Sequence, residues 1–394
     1  MKLLHIIGSM NPRAGGPCQG IRNLAPALFE HAGTGVEVVC LDDPNSDYLS
    51  SECLCIHALG KGRKPWNYHP ALRPWLKTNL PRFDAIILNG LWQYPCYVVS
   101  KVAQCTEAPP YFVYPHGMLD PWFQNAPERR LKAIRNWFYW KFVEQYVICN
   151  AEAVLFTCAE EMRLACNTFH PYQPKRQTIV GYGTSEPPQY HNGMAEALAQ
   201  KCPGVVGKPY FLYIGRIHPK KGVHFLIKAY SALLRSTGSS CLPILVIAGP
   251  DLETPYGRKM QKLASEICPP NSVFWPGMLN GNAKWGAFYN CEACVLPSNQ
   301  ENFGIAVVET LACGRPVLIS NQVNIWREIK EAGAAVVEDN SVVGTTKLFL
   351  DWNSFSPETR SNMAAHAKPC FQRYFSIKAA ARNLAAVLAS GRRS

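Results

Sequence analysis

The chain has 394 residues, 47% hydrophobic and 17% charged, with a net charge of +12 at pH 7. Single cores stop growing near about 250–300 residues, so this length predicts two domains, and the absence of low-complexity tracts and charge blocks excludes a disordered chain. A basic balance suits nucleic acid, anionic lipid or a phosphorylated small molecule; without zinc-finger spacing or an aromatic RNP strand, nucleic acid is not expected and a phosphate-bearing small molecule is.

The first predicted element is a strand, Leu3 to Ile7. Its apolar run is too short for a signal-peptide core, and no stretch of about 18 apolar residues follows anywhere. A cytoplasmic protein is the expectation. The loop Asn11-Pro12-Arg13-Ala14-Gly15-Gly16-Pro17 leads into a helix near Gly20 to His31, with Ile21, Leu24, Ala25 and Leu28 at helical spacing. Further strands read Val36–Cys40, Ala85–Leu88 and Tyr111–Tyr114. They are continuous apolar runs, as parallel strands covered on both faces require. Between residues 128 and 142 lies a segment with five cations, one acid and an aromatic stripe. Basic aromatic helices can lie at the surface of an anionic membrane, and they can equally pack on a sheet.

Prolines and polar residues at Ser185–Gln189 predict a linker, giving domains 1–188 and 189–394. Split at residue 190, the halves carry +3 and +9. The second half repeats the grammar of the first: strand Tyr210–Ile214, helix Val223–Arg235, strand Ile244–Ala248, helix Arg258–Ile267, then strands Val273–Trp275, Ala293–Leu296 and Pro316–Ile319. Alternating strands and helices predict an α/β fold with a doubly wound parallel sheet in each half. The tail from Pro357 reads as helical, and its last helix, about 371–394, is a candidate to pack back on the first domain. The sixteen cysteines show no spacing for a zinc site and are expected to be reduced, with Cys294 buried in a strand.

Three segments carry chemistry. Gly215-Arg216-Ile217-His218-Pro219-Lys220-Lys221-Gly222 is a cationic loop between a strand and a helix start, suited to a pyrophosphate; alone it could be a solvated basic turn. Pro297 to Glu309 follows a strand and enters a helix predicted to start near Phe303 and stop at Gly314. Glu301 falls just ahead of that helix, among free backbone N–H groups, and Glu309 about two turns into it. Pro115-His116-Gly117-Met118 lies at the carboxyl end of a strand, where ligands of doubly wound sheets bind.

Together these residues resemble the retaining glycosyltransferases of the glycosyltransferase family 4 type. Glu301-x7-Glu309 is similar to that family's paired-glutamate motif, Arg216 with Lys221 to its cationic loop, and Gly15-Gly16 and His116 to its N-terminal half. The segment Pro115 to Trp122 resembles members that build bacterial surface polysaccharides. The resemblance implies a GT-B fold, two Rossmann-like domains facing a central cleft. It implies that a sugar moves from a UDP- or GDP-linked donor to a glycan or lipid-linked acceptor. Arg216 and Lys221 would hold the diphosphate and stabilise the leaving group. Glu309 would bind the ribose and Glu301 the sugar, with the backbone of Asn302, Phe303, Gly304 and Ile305 nearby. Gly215, Gly249 and Met278 would flank the donor, and His116 would lie near the reacting sugar. Gly181-Tyr182-Gly183 departs from the family's common Asn-Gly. No Asp-x-Asp occurs, so no metal or other cofactor is expected. The competing readings are an epimerase of the same fold and a catalytically silent glycan- or nucleotide-binding protein.

Overall fold

The computed structural model describes residues 1–12, 16–50, 54–105, 108–126, 129–237 and 242–391. The chain forms two compact units, Met1–Ser185 with Ser376–Ser394, and Glu186–Phe375.

The first unit contains β1 (Lys2–Ile7), β2 (Gly35–Cys40), β3 (Cys55–Ala58), β4 (Ala85–Asn89), β5 (Tyr111–Tyr114), β6 (Ala153–Phe156) and β7 (Gln177–Ile179). All pair in parallel in the order β3-β2-β1-β4-β5-β6-β7. Parallel pairing forces a crossover after each strand, and the helix Gly16–Ala32 makes the first one. Its Ile21, Leu24, Ala25 and Leu28 are buried. The interior strands β4, β5 and β6 are buried along their whole length, while β3 at one edge and β7 at the other are not. The last helix, Ile377–Ser390, belongs to this unit: Ala380, Ala381, Leu384 and Leu388 share a core with Leu28, Ile87 and Phe112.

The second unit contains β8 (Tyr210–Ile214), β9 (Ile244–Ala248), β10 (Val273–Gly277), β11 (Ala293–Leu296), β12 (Val317–Ser320) and β13 (Ala335–Glu338). They too are all parallel, in the order β10-β9-β8-β11-β12-β13. Leu212 and Val246 from the central strands pack with Leu198, Ala287 and Phe288 from helices.

In each sheet the strand order reverses once, between β1 and β4 and between β8 and β11. Loops leaving such a reversal diverge to opposite faces and open a crevice at the carboxyl ends. In the second unit those loops begin at Gly215 and Pro297, where two of the segments singled out in the sequence start. The cysteines whose thiols are described are all free, and Cys294 is fully buried in β11. No described helix is long and apolar enough to cross a membrane.

Candidate active site

The second unit's crevice is a pocket of about 360 Å³, within the range of small-molecule sites. Gly215 and Lys221 line it from the loop after β8, Gly249 and Pro250 from the loop after β9, and Met278 from the loop after β10. Glu301, Gly304, Ile305 and Glu309 close it from the segment after β11.

The loop after β8 is held by its own backbone. Ile217 N–H donates to Pro250 O at 3.0 Å and Tyr213 Oη donates to Arg216 O at 2.7 Å. Pro219–Lys221 makes one 3₁₀ turn, which Asn299 braces by donating from its backbone N–H to Lys220 O (2.8 Å) and from its side chain to Pro219 O (3.0 Å). The turn ends at Gly222 with φ +69°, where a Cβ would lie 1.9 Å from Pro297 O. Only glycine allows that approach, and the approach sets Lys221 against Glu301. The two side chains form an ion pair, both mostly shielded from solvent.

Burial, with the cations Lys220 and Arg216 nearby, pushes the Lys221 ammonium down to about 7. The Glu301 carboxylate in contact favours the charged form against that push. A diphosphate entering here would supply more negative charge to the same ammonium than one carboxylate does.

Glu301 is pinned by its backbone: its N–H donates to Gln322 O at 2.9 Å, and its carbonyl accepts from Asn324 N–H at 2.9 Å. The helix that follows is Ile305–Ala312, starting two residues later than the sequence predicts. Gly304, at φ +71°, turns the chain into it. Glu309 therefore sits about one turn into the helix rather than two. Burial raises its pKa, offset by Lys284, whose Nζ lies 2.6 Å from Glu309 Oε1. Lys284, on the helix Gly281–Asn290, also lines the pocket, and the sequence reading missed it. A lone lysine inside a helical stretch carries no spacing signal; only the fold brings it to Glu309.

Three predicted donor contacts stand apart from the pocket wall. The Arg216 side chain is exposed and not in the lining, with no ion pair among the described residues. Phe303 turns inward, 6% exposed, with its ring 5.9 Å from that of Phe375, because it is the apolar residue closing the helix end onto the core. Asn302 accepts from the Asn324 side chain at 3.3 Å. Gly15 lies outside the described residues. Gly16 opens the first helix, and its carbonyl accepts from Tyr182 Oη. Tyr182 itself stands between Gly181 and Gly183, both at positive φ, and Tyr114 Oη donates to Gly181 O at 2.6 Å.

His116 belongs to the first unit and follows β5 with φ +52°, a conformation costly for a non-glycine residue. Its ring stacks on Tyr114 at 4.0 Å, and its Nε2 lies 3.1 Å from Asn89 Oδ1. The Asn89 amide nitrogen faces Ile6 O, Ile87 O and His5 Nδ1 at 3.1–3.3 Å. Those carbonyls require an N–H there, so Asn89 Oδ1 faces His116 and His116 Nε2 donates to it. His116 Nδ1 is left as an acceptor. Burial, then His5, lowers the His116 pKa to about 3, and burial lowers His5 to about 4. Both rings are neutral at pH 7. Gly117 N–H donates to Glu161 Oε1 at 2.5 Å, and Glu161 Oε2 accepts from Thr157.

Elsewhere, Glu37, Cys55 and His57 bring ligand atoms within 4.8 Å of one another. Lys2 and Arg82 already hold the Glu37 carboxylate, at 2.6 and 3.4 Å. Two cations oppose a third charge there, and the cluster reads as an ion-pair hub on the β2–β3 edge.

The chain is similar to known proteins in sequence and in fold. Residues 196–368 match the family model of glycosyl transferases group 1, and residues 15–183 match that of the glycosyl transferase 4-like domain. An O-antigen chain mannosyltransferase C of Escherichia coli is 25% identical over 53% of each chain. An alpha-D-kanosaminyltransferase of Streptomyces kanamyceticus is 30% identical over 63% of this chain and 62% of its own. The chain thus spans about half to three-fifths of the length of these curated relatives. Among solved structures, Anabaena HepE in complex with UDP and glucose superposes with a TM-score of 0.73 at 15% identity, covering 99% of this chain and 100% of its own. A glycosyltransferase from Rickettsia africae superposes with a TM-score of 0.77 at 12% identity, covering 100% and 99%. With two parallel α/β sheets and both family models in chain order, the chain belongs to the GT-B-fold glycosyltransferases that join a glycosyl transferase 4-like domain to a group 1 domain.

Proposed function

We propose that this chain is a retaining glycosyltransferase that moves a sugar from a UDP- or GDP-linked donor to a glycan or lipid-linked acceptor in polysaccharide synthesis. The observation that carries the reading is the second unit's pocket at a strand-order reversal, walled by Lys221, Glu301 and Glu309. In this reading Lys221 holds the donor diphosphate and Arg216 swings onto it. Both stabilise the charge that develops as the anomeric C–O bond breaks. Glu309 binds the ribose and Glu301, released from Lys221, binds sugar hydroxyls. His116 offers Nδ1 to a hydroxyl of the acceptor. The acceptor oxygen attacks from the face that the diphosphate leaves, a phosphate oxygen takes its proton, and no carboxylate nucleophile is required. With no Asp-x-Asp in the chain, the cations do the work a metal does elsewhere. The UDP and glucose complex of HepE supports a nucleotide-sugar donor, and the mannosyltransferase relative supports sugar transfer.

A panel of UDP-, GDP- and ADP-sugars tested by thermal shift identifies the donor. The matching nucleotide at 100 times its dissociation constant stabilises the protein by about 2.7 kcal/mol. Incubation with that donor, with and without glycan and lipid-linked acceptors and in excess EDTA, then yields an acceptor-dependent product with retained anomeric configuration. No shift from any nucleotide sugar, or product formed from donor alone, contradicts the reading.

A further inference from the structure

The segment 129–150 of the first unit is apolar on two opposite faces. It runs as a helix, Arg130–Tyr139, a single π turn, Trp140–Glu144, and a second helix, Gln145–Asn150. Glu128, the acid at its start, lies outside the described residues. Inward, Asn136, Trp140, Glu144, Val147 and Ile148 are buried and hold the segment to the domain. That face satisfies the ordinary need of an amphipathic helix to pack. The opposite face has no such need and is also apolar: Leu131, Ile134, Trp137, Phe138, Phe142 and Tyr146 are 51–85% exposed. Their spacing of three to four residues makes a continuous row, and it is continuous because the π turn absorbs the change of phase. Six of the seventeen exposed large hydrophobic residues among the described ones fall in this stretch. Single exposed apolar side chains are ordinary, but a contiguous row marks an interaction surface.

The charges around the row identify the partner. Arg130, Lys132, Arg135 and Lys141 are exposed beside it, and Lys141 Nζ lies 5.5 Å from the Trp137 ring. The one acid of residues 129–150 is Glu144, fully buried on the inward face. A second copy meeting this face about a two-fold axis would set these cations against their own counterparts, with no exposed acid among residues 129–150 to answer them. A convex helix with an apolar ridge flanked by cations fits an anionic lipid surface, the ridge entering the head-group boundary and the cations meeting the phosphates. The aromatic surface continues beyond the helix: Tyr139 contacts Trp66, itself 43% exposed, at 6.1 Å. We propose that residues 130–146 are a membrane-docking face that binds anionic bilayers peripherally. Docking does not depend on sugar transfer, so its test succeeds or fails separately from the proposed reaction.

The test is sedimentation of the full chain with vesicles of phosphatidylcholine alone or with about 30% phosphatidylglycerol, without any nucleotide. Docking predicts enrichment on the anionic vesicles that weakens as salt rises. Removing three cations (Lys132→Gln, Arg135→Gln and Lys141→Gln together) lowers vesicle affinity about 100-fold, each contributing about 1 kcal/mol near an anionic surface. Leu131→Ser, Phe138→Ser and Phe142→Ser together abolish binding. Both triple variants alter exposed positions only, so circular dichroism and nucleotide binding stay as in the parent. The inference is overturned by equal recovery with neutral and anionic vesicles, by binding that survives both triple variants, or by no vesicle binding. A concentration-dependent dimer in place of vesicle binding, lost in the serine variant, overturns it in favour of self-association.

Discussion

The two sheets are built alike, yet the polar groups at their strand-order reversals differ in kind. In the first unit His116, Asn89 and His5 form one hydrogen-bonded row, and burial keeps both rings neutral. In the second, the pocket is lined by ion pairs, Lys221 with Glu301 and Lys284 with Glu309. Neutral hydrogen-bonding groups suit hydroxyls, which carry no charge to compensate. Ion pairs suit a diphosphate, because a cation already drawn to a carboxylate can be drawn to an anionic ligand instead. Under the proposed function, one backbone plan would serve two chemistries, separated by which side chains stand at the strand ends.

The comparison can be broken by mutation. The largest expected effect is at the cation: Lys221→Ala lowers transfer by roughly 10²–10³-fold in a steady-state assay, the usual cost of a lost transition-state charge contact. His116→Ala lowers kcat by roughly 10–100-fold, the cost of about one strong hydrogen bond, and leaves nucleoside diphosphate affinity unchanged. A smaller effect comes with pH. A lysine lowered to about 7 is increasingly neutral above that pH, whereas the diphosphate favours the ammonium. Nucleotide binding above pH 7 must then take up a proton, and the dissociation constant rises by up to about tenfold per pH unit. Calorimetry in two buffers of different ionisation enthalpy detects that proton, and Lys221→Arg removes it. The smallest effect is at Lys284. Lys284→Met leaves the buried Glu309 carboxylate without its cation and raises the donor KM by about tenfold, with kcat little changed.

Those residues also mark how far the sequence carries. Lys221 stood out as a cation in a loop that Gly215 and Gly222 close between a strand and a helix, and Glu301 and Glu309 stood out through their x7 spacing after a strand, which resembles a family motif. Lys284 has no partner at a telling spacing in the sequence, and only the fold brings it to Glu309. The interior strands β1, β4, β8, β9 and β11 were legible because burial on both faces demands unbroken apolar runs. The edge strands β3 (Cys55–Ala58), β7 (Gln177–Ile179) and β13 (Ala335–Glu338) were missed, since partial exposure relaxes that demand, whereas edge strand β10 was read from Val273–Trp275 despite similar exposure. Interior β6 is only four residues long between two helices, and so short an apolar run reads equally as a helix segment. The outward row from Leu131 to Tyr146 was visible as a stripe, but periodicity does not say which of two apolar faces the fold covers.

The central claim is that charge in the second unit, and not in the first, holds the donor's diphosphate. Isothermal titration of UDP and GDP into the parent, Lys221→Ala and His116→Ala proteins tests it most directly. The account predicts that one nucleotide binds the parent, that Lys221→Ala weakens it by at least about tenfold, as loss of a charged hydrogen bond of about 1.5–3 kcal/mol requires, and that His116→Ala binds as the parent does. Parent-like binding by Lys221→Ala, or equal losses in both variants, would contradict it.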